Sequence, residues 1–171
     1  MGDPLLPLYN GSCLMIFNTV RGEKMSDYDE QSARIQSVFN LDEIPEVSEE
    51  YLEHYRNWLK RKLTLPCLLT GIESMGYFGW EERYEFGYGS PKEYEETRKK
   101  QGSYKEHYEL KTLDKAKIGG AWDSDILAPV VRVADQKRFT IPLSELQAVD
   151  ENSKNYQLLH DYTVWYVNWR E

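Results

Sequence analysis

The chain has 171 residues, 40% hydrophobic, 29% charged and 13% aromatic, and its 21 basic and 29 acidic side chains leave a net charge of -8. That length suits one domain with an appendage, the aromatic content argues against disorder along most of it, and no apolar run approaches the roughly 18–20 residues that cross a bilayer. The acid excess speaks against generic binding to phosphate backbones and for attraction of cations, so neither nucleic acid nor membrane is an expected partner.

Two cysteines, Cys13 and Cys67, stand far apart with no CxxC or Cys/His spacing, which excludes a structural zinc site. Two isolated thiols fit a reducing compartment, and the expected location is the cytoplasm. The apolar run 13–17 has no basic stretch before it and reads as a buried or docking segment rather than a leader.

Pro4, Pro7, Asn10-Gly11 and Gly22 punctuate an irregular start. Ser26, followed by Asp27, Asp29 and Glu30, predicts a capped helix start, and Ala33, Ile35, Val38 and Phe39 carry an approximate helical stripe to Asn40. Pro45 blocks its continuation. A second helix is predicted over 49–63, capped by Ser48. Leu52, Tyr55, Leu59 and Leu63 share one face, and Lys60, Arg61 and Lys62 suit the negative end of its dipole.

After Pro66 the pattern turns to strands. Residues 67–72 read as a buried strand. Segment 76–109 mixes aromatic and charged residues, broken by glycines, with a strand fragment at Tyr84-Glu85-Phe86 and a short helix over 92–100 behind Ser90-Pro91. Residues 108–113 alternate with period two. Residues 126–133 are apolar and β-branched, with Pro129 restricting them to an edge or bulge. A turn at Asp135-Gln136 returns the chain along 138–141, 142–146 make a helical turn, and 163–169 alternate like a closing strand. The predicted fold is α+β: N-terminal helices on a small, strongly bent antiparallel sheet or barrel. The predicted organisation is an extension over 1–47, with its own short helix, and a helix-plus-sheet domain over 48–171.

The acidic positions carry the best chemical lead. Asp114 and the pair Asp123-Ser124-Asp125, joined by Ile118-Gly119-Gly120, lie just ahead of an apolar strand. Hard cations such as calcium take six to eight oxygens, and two carboxylates two residues apart can face one ion whose charge relieves their repulsion. The pattern is no EF-hand, since the third ligand and the glycine are absent, and the same residues also suit a solvated turn. Asp150-Glu151 form a second acidic turn, open to the same two readings, and Glu81, Glu82 and Glu85 a third group best read as solvated. Enzyme signatures are lacking: no GxSxG, P-loop or GxGxxG occurs, and His54, His107 and His160 show no metal-triad spacing. His160-Asp161 reads better as a structural pair than as a proton relay.

The segment Ile141-Pro142-Leu143-Ser144-Glu145-Leu146-Gln147-Ala148-Val149-Asp150, then Asn155-Tyr156-Gln157-Leu158-Leu159 and Asp161-Tyr162-Thr163-Val164-Trp165-Tyr166, resembles the end of the cyanobacterial-type small acidic calcium-binding proteins of the heterocyst calcium-buffering kind. Leu65-Pro66 ahead of the first strand also fits, and the likeness extends over about 51–169. It implies an SH3-like fold that binds Ca2+ through surface carboxylates, without catalysis, as a buffer or regulator. Transferred by position, it makes Asp114, Asp123, Asp125, Asp150 and Glu151 the candidate ligands, with Asp161 and Tyr162 structural. The alternative is an interaction module that docks a protein partner through the aromatic segment 76–108.

Overall fold

The computed structural model describes residues 26–73, 77–78, 90–120 and 124–170. Two helices come first. Helix α1 (Asp27–Phe39) opens on a reciprocal capping box: the Ser26 hydroxyl accepts the Asp29 amide, and the Asp29 carboxylate accepts the Ser26 amide. It stops where Asn40 turns left-handed, at φ 54°, a conformation that ends helices because the next amide can no longer reach its i-4 carbonyl. Helix α2 (Glu49–Lys62) starts on Ser48 as predicted and buries Leu52, Tyr55 and Leu59. The segment between them is pinned by α4 (Lys154–Asn168), whose Trp165 donates Nε1–H to the Pro45 carbonyl at 2.8 Å, while the Trp169 carbonyl accepts the Val47 amide at 2.7 Å.

Strands β1 (Cys67–Gly71), β2 (His107–Leu110), β3 (Lys117–Gly119), β4 (Asp125–Arg132), β5 (Arg138–Pro142) and β6 (Leu146–Ala148) form one antiparallel sheet in the order β3-β4-β2-β1-β6, with β5 paired to β4. The fold is α+β, and the sheet is not closed: among the described residues no strand pairing joins β5 to β6. A 3-10 turn, Leu143–Glu145, connects them directly, where the sequence predicted a helical turn. Helix α3 (Pro91–Lys100) lies between β1 and β2 in the chain, with Ser90 and Pro91 at its start.

Strand β4 departs from the expected edge placement, because it has partners on both sides. Its break explains how Pro129 is tolerated. On one side β3 pairs up to Leu127 and β2 resumes at Val131, so Pro129 stands in the gap between them, where a missing amide removes no bond to either strand. The turn into β5 places Gln136 at φ 59°. Ile118 and Gly119, in the stretch that joins the candidate acids, belong to strand β3, paired to β4 at Ile118↔Ile126 and Gly119↔Asp125. The Tyr84-Glu85-Phe86 fragment lies outside the described residues.

The larger correction is at the C-terminus. Residues 163–169 were expected to be a strand, but Lys154–Asn168 form α4, capped by Ser153, whose hydroxyl accepts the Tyr156 amide at 3.1 Å. Over seven residues the β-branched and aromatic side chains imitate a two-residue period. Over fifteen, burial of Leu158, Leu159, Tyr162, Trp165 and Tyr166, with Val167 54% exposed, follows the helical one.

All of this encloses one core. Ile35 and Phe39 from α1, Tyr55 from α2 and Trp165 from α4 pack over Leu69, Tyr108, Ile126 and Ile141 of the sheet. At its helical side the Phe39, Tyr55, Tyr162 and Trp165 rings form an aromatic cluster, with Tyr55 5.0 Å from Tyr162 and 5.1 Å from Trp165 between centroids.

Candidate metal site

The candidate acids fall at the ends of strands and in the turns that join them, and their environments differ. Asp114 is exposed in the turn after β2. Its Oδ1 lies 2.6 Å from Lys60 Nζ of α2, and its Oδ2 accepts the Thr112 hydroxyl at 2.9 Å. The hydrogen bond from Lys60, then that from Thr112, holds this carboxyl below the usual carboxylate range.

Asp125, the first residue of β4, is buried at 3% exposure. Its Oδ1 accepts the Ile126 amide at 2.5 Å and the Tyr162 hydroxyl, and its Oδ2 accepts the Ser144 hydroxyl at 2.6 Å and the Ser144 amide at 3.4 Å. Burial pushes its pKa up, opposed by these four donors. This carboxylate therefore ties three elements together: the start of β4, the 3-10 turn and α4.

Asp150 and Glu151 are exposed between β6 and α4. Asp150 Oδ1 accepts the Asn152 amide at 3.1 Å, and its carbonyl accepts the Ser153 hydroxyl at 2.6 Å. That is an Asx turn feeding directly into a helix cap. Asp123 lies outside the described residues. Among those described, no three His, Cys, Asp or Glu side chains converge as a group able to hold a metal ion.

The donor chemistry sorts these candidates. Calcium takes oxygen ligands, and Asp150 and Glu151 present exposed carboxylates that fit it. Asp114 fits once Lys60 gives way. Asp125 fits poorly, because both its oxygens already serve protein donors and its position is closed to solvent.

Asp161 and Tyr162 are structural, on a helix rather than a strand. Arg34 of α1 grips Asp161 through Nε at 2.8 Å and Nη2 at 3.0 Å, while Tyr162 holds Asp125. His160 is not the partner of Asp161. It is exposed, stacked on Tyr156, with Nδ1 3.0 Å from Gln31 Nε2. His107 is exposed at the start of β2, and burial pushes the Cys67 thiol up. Of the aromatic segment 76–108, residues 76 and 79–89 lie outside the described residues. Of its described part, Phe78 and Tyr108 are buried and Tyr77 is 41% exposed.

Sequence reasoning missed Arg132, which is 2% exposed. Its guanidinium meets Asp135 at 2.7 Å and Glu106 at 2.8 Å, donates to the carbonyls of Arg98, Lys99 and Gln101, and lies 5.0 Å over the Phe139 ring. It thereby caps the carbonyl end of α3 from the sheet. Only the apolar run around it could have flagged a charge in that register, since alternation alone does not name its partners.

No curated protein and no solved structure matches this chain. A family model described as calcium binding, CcbP, matches residues 81–166, half of the chain. The match spans α3, β2 to β6 and most of α4, and all five candidate acids fall within it. The chain is a member of the CcbP calcium-binding family, and the ion it takes is Ca2+.

Proposed function

We propose that this protein buffers calcium or relays its concentration, without catalysis, through exposed carboxylates at the turns of the sheet. The observation that carries this reading is the calcium-binding family match, which takes in every candidate acid. We assign Asp114, Asp123, Asp150 and Glu151 as ligands. Asp125 we assign to the base of the β3–β4 connection, where its buried hydrogen bonds keep β4 in place against α4. Exposed carboxylates without a closed cage bind weakly, with Kd on the order of 10⁻⁵ to 10⁻³ M.

Calorimetric titration with calcium, with magnesium as competitor, tests this. Heat saturating in that range is expected. A ligand at a hundred times its Kd stabilises the folded state by about 2.7 kcal/mol, so the melting temperature rises with it. Asp150→Asn with Glu151→Gln is expected to remove part of the heat with the fold intact. No heat and no thermal shift at millimolar calcium overturns the reading, and unchanged titration of the double variant removes that turn from the ligand set.

A further inference from the structure

The connection between α1 and α2 lies outside the family match, and beside Ile44 and Tyr51, which are partly buried against the core, it leaves Leu41 exposed. Leu41 is 44% exposed, and with Ile44 and Tyr51 it lines a broad, open groove. Its backbone is fixed in advance. Gln36 Nε2 donates to the carbonyls of Leu41 and Asp42, and α4 holds Pro45 and Val47 as described above. A surface ordered before binding loses less conformational entropy when a partner arrives.

The groove's rim is charged in one sign. From residue 41 to 53 every charged side chain is an acid. Asp42, Glu43 and Glu46 are exposed and belong to no helix. Among the described residues none of the three has an ion pair or a side-chain hydrogen bond. Apolar floor and unneutralised anionic rim together select the chemistry of an occupant.

We propose that the groove floored by Leu41, Ile44 and Tyr51 and rimmed by Asp42, Glu43 and Glu46 docks a lysine- or arginine-rich peptide segment of a partner protein, apolar anchors inward. The basic side chains pair with the rim while leucine-like anchors cover Leu41. This docking is independent of the calcium ligands assigned above.

The test uses the full chain with chelator present and a fluorescent synthetic amphipathic peptide of lysine and leucine. The control peptide carries glutamate in place of lysine, with the same leucines. Anisotropy is expected to report binding of the basic peptide alone. Affinity is expected to fall about tenfold from about 0.01 M to about 0.1 M salt, as the Debye length shortens from about 30 Å to about 10 Å. E43K with E46K is expected to weaken binding by about tenfold or more, and L41S by a similar factor, tenfold being about 1.4 kcal/mol. All three substitutions are at exposed sites, and circular dichroism checks the folds of both variants. Equal binding of the acidic peptide, or indifference to all these substitutions, overturns the proposal. So does a dimer that L41S dissolves, which makes a second copy the occupant. Displacement of the peptide by calcium, with loss of a calcium site in E43K/E46K, also overturns it and assigns the rim to the ion.

Discussion

Tyr162→Phe isolates the bond between α4 and the buried carboxylate. The ring stays in its aromatic cluster, 5.0 Å from Tyr55 and 6.0 Å from Trp165, so packing is preserved and only the hydroxyl is lost. Asp125 then keeps the Ile126 amide and the Ser144 hydroxyl and amide as donors. A hydrogen bond to a charged group contributes about 1.5–3 kcal/mol, so the loss at neutral pH is about 2 kcal/mol. For a chain of this size that is about 4–8 °C in Tm. The pH dependence adds a second readout. Burial raises the folded pKa of Asp125 above its unfolded value. Its favourable contribution is therefore fully present below the unfolded pKa and is lost as pH rises through the folded one. Removing a donor to the ionised form raises the folded pKa further. The penalty of Tyr162→Phe is thus largest at neutral pH and shrinks in acid, where a neutral carboxyl loses only an ordinary hydrogen bond. Urea unfolding of both proteins, followed by tryptophan fluorescence at pH 7 and in mild acid, measures it. An unchanged midpoint at pH 7, or a penalty that grows in acid, refutes the reasoning.

Three more outcomes follow from the same geometry. Arg132→Met leaves Glu106 with Arg98 as its one remaining cation among the described residues and the carbonyls of Arg98 and Gln101 without this donor, while Lys99 keeps Lys137; breaking a buried pair costs about 3–5 kcal/mol, and hydrogen exchange is expected to rise first in α3. Gly71→Ala places a methyl 2.5 Å from Tyr104 Cα and 2.6 Å from the Phe78 ring, an overpacking of about 1–3 kcal/mol that chemical denaturation reads directly. Lys60→Met frees Asp114 from its competing cation and is expected to tighten calcium binding a few-fold by calorimetry, whereas unchanged or weaker binding removes Asp114 from the ligand set.

Much of the architecture was written in local chemistry. Ser26, Ser48 and Ser90 announce their helices because each cap works within three residues of chain. The β4–β5 hairpin follows from two apolar runs about a short polar turn. What stayed hidden depended on distant partners. Asp125 is out of phase with the inward Ile126, Ala128 and Val130, so the pleat points it outward, and only Ser144 and Tyr162 bury it. A pair of aspartates two residues apart looks the same whether it faces water or an α-helix. The Arg132 cluster is hidden for the same reason, its partners coming from the end of α3, from Glu106 just ahead of β2 and from Asp135 in the turn after β4. The C-terminal helix was concealed by composition, since its tyrosines, tryptophans and valines favour strands until Ser153 is counted as its start.

Helix α3 contributes no buried side chain. It is moored by Arg132, by Lys137 reaching the carbonyls of Lys99 and Lys100, and by Arg98 to Glu106. Phe78, earlier in the same excursion between β1 and β2, belongs to the core, but the helix itself gives the interior nothing, so relatives can shorten the excursion by the helix without opening a void. Such a deletion would strand the guanidinium of Arg132 among groups it no longer neutralises or caps. A family alignment is therefore expected to show the arginine and the helix inherited or lost as one unit, with an apolar or small polar residue in β4 wherever the excursion is short.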